Sequence, residues 1–139
     1  MAKHIEDTHQ AALIRWSKCQ KLPVLDYIEP DAKVFDYLYA IPNGGKRNFR
    51  EAVRLKAQGV KAGVSDLHLA LPMFGKCGLW IEMKKPIVKG QKLPDVSLSQ
   101  RQWLKRMEKA GYVAVVCFGW DEAKEVILDY IFTDVEAAA

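Results

Sequence analysis

With 139 residues, half of them apolar and 27% charged, the chain is long enough for one globular domain with its own core. No apolar stretch reaches the length of a transmembrane helix, no N-terminal signal pattern is visible, and the three cysteines are widely spaced and odd in number. We therefore expect a cytoplasmic protein with reduced core thiols. The net charge of +4 is modest, so the positions of the charged residues along the chain are more informative than their sum.

The first third of the chain predicts a helix, a strand and a second helix. Residues 5–20 place apolar side chains on one helical stripe. Residues 34–41 are rich in β-branched and aromatic residues, which is typical of a strand. After a turn, Asn48 and Glu51 stand in the positions of a capping box and predict a helix that ends at Gly59.

The middle of the chain predicts a pair of strands, an exposed loop and a third helix. The strands are expected near residues 65–71 and 78–84, because apolar runs are separated there by turn-forming residues. Residues 85–96 contain two prolines and three lysines, which indicates an exposed loop. Ser97 begins the next helix, and Gly111 ends it.

The last part of the chain completes an α/β pattern. The continuous apolar run over residues 112–118 is typical of a central, buried strand. Asp121 is expected to cap a final helix. The order α-β-α-β-β-α-β-α predicts one mixed β-sheet flanked by helices.

Asp66, Glu82 and Lys84 form the most informative pattern in the chain. Glu82 and Lys84 are two residues apart on a predicted strand, so their side chains point to the same face. If the two strands pair as a hairpin, Asp66 comes beside them. Two carboxylates suit a hard divalent ion such as Mg²⁺ or Mn²⁺, and a lysine beside the ion can stabilise the negative charge of a reacting phosphate. The pattern indicates a metal-dependent phosphodiesterase.

Basic segments lie on both sides of this pattern. Residues 46–61 hold six basic residues against one acid, and residues 84–109 hold eight against two. Residues 110–139 hold one basic residue against six acids. Either basic segment alone could be a solvated helix face. Two such segments around a carboxylate cluster favour a polyanionic partner such as nucleic acid.

Five segments occur in an order that resembles a known family. They are IPNGGKR at 41–47, GVKAGVSDLHLALP at 59–72, GLWIEMKKP at 78–86, LSQRQWLKRMEKAGY at 98–112, and the final helix. Together they resemble the VRR-NUC family of the PD-(D/E)xK nuclease superfamily. The resemblance implies a restriction-endonuclease-like sheet in a single domain over residues 1–139. Some members are small stand-alone proteins, which implies the cytoplasm of a bacterial or phage-infected host cell.

The resemblance assigns roles to the central pattern and adds two residues. Asp66 and Glu82 match the metal-binding acids, and Lys84 matches the catalytic lysine. The main-chain carbonyl of Met83 commonly completes the metal shell in the superfamily. Glu6 matches an N-terminal acid that often contacts the metal through water.

A glutamine and several basic residues complete the predicted site. Gln100 matches a glutamine often found near the site, and it also forms a capping box with Ser97, which is compatible with a site role. Ser65 stands where the superfamily name has proline, a position that shapes the backbone and does no chemistry. Phosphate contacts are expected from Asn43 in the glycine-containing turn, from Lys46 and Arg47 beside it, and from Arg50 and Lys85 in the basic segments.

Each central residue also has a structural interpretation. Asp66 could simply begin a strand or a turn. Glu82 and Lys84 could form an ion pair on an exposed strand, although charges in a buried strand are costly unless they bind something. Glu6 could act only by favouring the helix dipole.

The predicted reaction is metal-dependent hydrolysis of a DNA phosphodiester bond. No recognition helix or zinc module is evident, so structure-selective cutting is favoured over sequence-specific cutting. A homodimer would present two sites to the opposed strands of a branched DNA, and stand-alone VRR-NUC proteins resemble dimeric Holliday junction resolvases. One rival is a non-catalytic or partner-dependent nucleic-acid-binding module of a DNA repair or replication complex. A small-molecule phosphodiesterase is another.

Overall fold

The computed structural model of the protein describes residues 2–42 and 48–134. The elements confirm the predicted order, with one additional 3₁₀ turn before the first strand. They are α1 (Ala2–Ser17), the 3₁₀ turn (Val34–Asp36), β1 (Leu38–Ala40), α2 (Phe49–Ala57), β2 (Leu67–Leu69), β3 (Leu79–Lys84), α3 (Leu98–Lys109), β4 (Val113–Phe118) and α4 (Trp120–Phe132). None of the helices in these ranges has the length and apolarity that a membrane span requires.

The strands form one mixed sheet in the order β1-β2-β3-β4. β2 pairs antiparallel with both β1 and β3, and β3 pairs parallel with β4. The expected hairpin of β2 and β3 is therefore present, with Leu67 opposite Ile81. Because a parallel pair needs a crossover connection, α3 connects β3 to β4.

The core lies between one face of the sheet and the helices α1 and α4. Alternate residues of the central strands point to this face, so they are buried together. Burying each such side chain contributes roughly 1.5–3 kcal/mol. The members include Leu67, Leu69, Leu79 and Ile81 from the sheet, Leu13 from α1, and Ile127 and Ile131 from α4.

The opposite face of the sheet carries a row of aromatic side chains. Tyr39, His68 and Trp80 are neighbours in the strand register. The His68 ring stacks on Trp80 at a centroid distance of 4.1 Å, and the Tyr39 hydroxyl is 2.8 Å from His68 Nδ1. Trp103 of α3 packs edge-on against Trp80. Asp66 and Glu82 follow this row by the period of two, so they share its face of the sheet.

Two expectations about burial are wrong. The apolar run at 112–118 forms β4, which is an edge strand of the sheet. It is apolar because α3 and α4 both pack against it. Cys117 is buried in this strand as expected, whereas Cys19 and Cys77 are exposed free thiols.

Two expectations about local structure are also wrong. The segment 34–41 is only partly a strand, because the Asp36 carboxylate accepts a hydrogen bond of 2.8 Å from the Lys33 N–H and closes a 3₁₀ turn there. Asp121 does not cap α4, which begins one residue earlier at Trp120. The Trp120 N–H instead donates to Nδ1 of His9 in α1, at 3.0 Å.

Candidate metal centre

Two carboxylates meet at the end of the hairpin. Glu82 lies on β3 and only 3% of its surface is exposed. Asp66 directly precedes β2, and its Oδ2 accepts a hydrogen bond of 2.6 Å from the Met83 N–H. Antiparallel pairing of β2 with β3 therefore brings together two acids that are sixteen positions apart in the sequence.

The surroundings of Glu82 disfavour its negative charge. Burial, assisted by a hydrogen bond and charge repulsion from the Asp66 carboxyl, raises the pKa of Glu82 to about 9, although Lys84 acts in the opposite direction. Among the described residues, Glu82 Oε1 has no hydrogen-bond partner. A buried oxygen without a partner is costly, and a divalent cation with oxygen ligands would satisfy it. The residues present thus fit a metal ion.

A main-chain oxygen completes the donors at this position. The Met83 N–H points to Asp66, and in a strand the N–H and C=O of one residue point to the same side, so the Met83 carbonyl faces Asp66 as well. No three His, Cys, Asp or Glu side chains within 2–42 and 48–134 form a metal cluster by themselves. Among the described residues, the candidate ligands are therefore the two carboxylates and this carbonyl.

Gln100 connects the charged groups to each other. Its Oε1 accepts hydrogen bonds from Lys84 Nζ at 3.1 Å and from the Ser97 N–H at 2.9 Å. Its Nε2 donates to Glu82 Oε2 at 3.2 Å. One side chain thus forms the capping box of α3 and holds both Lys84 and Glu82 in place.

Glu6 of α1 lies near the same group of charges. Burial raises its pKa most, Lys84 lowers it, and Asp66 raises it again. Glu6, Lys84 and Lys85 line a pocket of about 270 Å³ together with Lys92 and its neighbours in the loop. The structure therefore brings Glu6 to the edge of the site.

The predicted phosphate-binding residues are only partly within the described chain. Lys85 lines the pocket, and Arg50 is exposed on α2. Asn43, Lys46 and Arg47 lie outside the described residues. The interpretation of this group remains a prediction.

Sequence reasoning missed two neighbours of the site. Lys92 lines the pocket, although the sequence showed it only as one of many lysines in a basic segment. His68 belongs to the aromatic row on the same face of the sheet as the carboxylates, and burial lowers the pKa of its imidazole. Its position two residues after Asp66 on a strand was the available signal.

Comparisons with known proteins agree with this architecture. The family model of the VRR-NUC domain matches residues 5–121. A solved structure described as a VRR-NUC domain protein is similar at 33% sequence identity and a TM-score of 0.72, and the similarity covers 91% of this chain and 87% of that chain. No curated protein matches the chain. The residues matched by the family model include the whole region from Glu6 to Gln100.

Proposed function

This chain belongs to the VRR-NUC domain family, a nuclease-type domain, and from that premise we propose that it is a metal-dependent DNA endonuclease. The observation that carries the proposal is the buried Glu82 carboxylate beside Asp66, with one oxygen that has no partner among the described residues. A carboxylate pair of this kind is costly in a purely structural role. It is useful where a divalent cation must be held.

The proposed metal ligands are the carboxylates of Asp66 and Glu82 and the carbonyl of Met83. Glu6 is proposed to contact the ion through water. These are oxygen donors, which suit Mg²⁺ or Mn²⁺. When bound, such an ion supplies a lowered pKa for a coordinated water and a positive charge for the scissile phosphate.

Lys84 and Gln100 are the side chains proposed to assist the reaction beside the metal ion. Lys84 Nζ is held 3.1 Å from Gln100 Oε1 and presents its charge beside the two carboxylates. There it orients the attacking water and stabilises the negative charge that develops on the phosphate. Gln100 positions Lys84 and Glu82 relative to each other through its amide.

The proposed substrate is branched DNA. Arg50 on α2 and Lys85 at the pocket are described members of the basic segments, and they would contact phosphates on either side of the site. We further propose a homodimer, which would cut opposed strands of a Holliday-type junction. Exposed apolar residues support a second copy, since Phe49 of α2 is 83% exposed and Val53 follows one turn later.

The proposed setting is the cytoplasm of a bacterial or phage-infected cell. Cys19, Cys77 and Cys117 are all free, and two of them are exposed. Exposed free thiols are typical of a reducing compartment. We also propose that residues 1–139 act as one nuclease domain.

A cleavage panel tests the proposed function. The purified protein, at a measured oligomeric state, is incubated with a four-way junction, a flap, a duplex and a single strand in Mg²⁺, Mn²⁺ or EDTA. We expect endonucleolytic cuts with either metal, a preference for branched DNA, and no cuts in EDTA. DNA binding without cleavage in either metal would favour the non-catalytic module. Binding that does not weaken with salt would favour a small-molecule phosphodiesterase, because several phosphate contacts give a steep salt dependence.

A further inference from the structure

The two ends of the loop between β3 and α3 are joined by hydrogen bonds to one atom, Gln100 Oε1. We call residues 85–96 the site loop. Gln100 Oε1 accepts hydrogen bonds from Lys84 Nζ, just before the loop, and from the Ser97 N–H, just after it. The loop thus leaves the metal centre and returns to it, in the manner of a compact surface loop whose ends are close.

The tip and the base of the site loop each make a defined contact. At its tip, the Gln91 N–H donates to the Val88 carbonyl at 3.0 Å, and Gly90 has φ +84°, as a type II turn requires. Near its base, Pro86 packs against Gly119 so closely that a Cβ there would lie 3.1 Å from the ring. The loop is therefore an ordered projection beside the site.

Three apolar side chains of the site loop are exposed. Ile87 is 53% exposed, Val88 48% and Leu93 61%. Leu93 lines the same pocket as Lys84 and Glu6, so one exposed apolar side chain of the loop borders the candidate metal centre. Exposed branched apolar residues that cluster beside a reaction site indicate contact with an apolar surface of a partner.

The charges of the loop identify that partner as nucleic acid. Lys85, Lys89 and Lys92 alternate with the apolar residues, and Asp95 is the loop's single acid. Asp95 lies 3.7 Å from Lys92 and compensates for only one of the three lysines. A strip that alternates cations with apolar side chains is complementary to a strand of phosphates with exposed base faces.

We propose that the site loop is a wedge that contacts an unstacked nucleobase next to the scissile phosphate. Ile87, Val88 and Leu93 would pack on the base face, while the lysines contact neighbouring phosphates. Bases in a continuous duplex are stacked and must be opened at a cost, whereas a branch point offers them already unstacked. The wedge would therefore give the nuclease its preference for branched DNA. The inference rests on the proposed function for its substrate.

The test compares wild type with a variant carrying Ile87→Ser, Val88→Ser and Leu93→Ser. All three positions are exposed, so the changes remove no core packing. Binding is measured in EDTA to a four-way junction and to a duplex, each with 2-aminopurine at the same sequence position, which lies at the branch in the junction. We expect wild type to raise the fluorescence of the junction and not of the duplex. The variant should not show this rise, and its ratio of junction affinity to duplex affinity should be roughly tenfold lower than that of wild type. Val24→Ser, at a fully exposed valine outside the loop, should behave as wild type.

Three results would overturn the wedge. They are an unchanged fluorescence rise in the variant, an equal loss of affinity for junction and duplex, and a change in the oligomeric state of the variant in light scattering. The last would make the loop an interface between copies.

Cleavage assays in Mg²⁺ and Mn²⁺ separate the two proposals. If wild type cuts no DNA but the fluorescence rise depends on the loop, the proposed function fails and the wedge stands. If wild type cuts DNA without any fluorescence rise, only the wedge fails.

Discussion

Glu82 is an ionisable residue whose burial strongly disfavours its charged form. Its side chain is nearly inaccessible, it lies next to Asp66, and its pKa is raised to about 9. At neutral pH, without a metal, the folded protein therefore keeps a proton on this carboxyl, whereas the unfolded chain releases it near the ordinary value of 4.5. The binding of a divalent cation must displace that proton, which couples metal affinity to pH.

The first prediction concerns stability against pH in EDTA. Because the folded state binds more protons than the unfolded state between about pH 4.5 and about pH 9, the free energy of unfolding falls as pH rises through this window. Glu82→Gln has no such proton and should show a smaller fall. Denaturant unfolding at several pH values measures the difference. Parallel curves for the two proteins would show that Glu82 is ionised in the fold.

The second prediction concerns Lys84. Lys84→Ala removes the positive charge that Gln100 holds beside the carboxylates, so the rate of DNA cleavage should fall by about 10²–10³. Circular dichroism should show an unchanged fold, because Lys84 is only partly buried. Lys21→Ala, at an exposed lysine outside both basic segments, is the matched control and should cut at the wild-type rate. An undiminished rate in Lys84→Ala would remove the proposed mechanism.

At the scale of elements, helix ends position the site. The first turn of α3 supplies Gln100, whose Oε1 accepts both the Ser97 N–H of the capping box and the Lys84 ammonium. The local sequence signal for a helix start and the site contact are thus the same side chain. The local preference for a capping box at the start of α3 therefore also orients Gln100 toward Lys84 and Glu82 on β3.

The third prediction concerns the start of α4. The Trp120 N–H is one of the donors that a helix leaves without an internal partner, and His9 of α1 accepts it. His9→Ala should therefore lower the free energy of unfolding by about 1 kcal/mol. Asp121→Ala removes only a favourable charge near the helix N-terminus and should cost about 0.5 kcal/mol or less. Chemical denaturation of both variants checks the order, and a larger cost for Asp121→Ala would contradict the assigned cap.

At the scale of the whole molecule, charge and fold act together. The family match places the carboxylate pair in a nuclease-type domain, and the sheet brings its two acids to one face. The basic segments at 46–61 and 84–109 lie on either side of the pair in the sequence, while the acidic residues concentrate after residue 110. An uneven distribution of this kind attracts a polyanion to one part of the surface in spite of a modest net charge.

The fourth prediction concerns the salt dependence of DNA binding. Lys85→Gln removes one proposed phosphate contact at the pocket, so the slope of log K against log salt should become shallower by about 1. Lys21→Gln is the control, because Lys21 lies between α1 and the 3₁₀ turn, outside both basic segments, and forms a surface ion pair with Asp31. Fluorescence anisotropy at a series of salt concentrations measures both slopes. Equal slopes for Lys85→Gln and wild type would place Lys85 away from the DNA.

The sequence by itself determined the element order and the identity of the central acids. Helix periodicity, the turn residues and the Asn48 and Ser97 caps are local signals, and the structure confirms both caps. Glu82-x-Lys84 could be recognised because the period of two in a strand is set by the backbone alone. The ordered segments then placed the chain in its family, which the family model confirms.

The tertiary structure alone decided everything that depends on which elements become neighbours. It made the apolar run at 112–118 an edge strand, because burial by α3 and α4 looks the same in sequence as burial within a sheet. It gave the cap of α4 to His9, which is 111 residues away, instead of the nearby Asp121. It also showed that Gln100 contacts Lys84 and Glu82 together, and that burial raises the pKa of Glu82. The reason is physical: propensity and periodicity act over a few residues, whereas desolvation and hydrogen bonding across elements depend on distances in space.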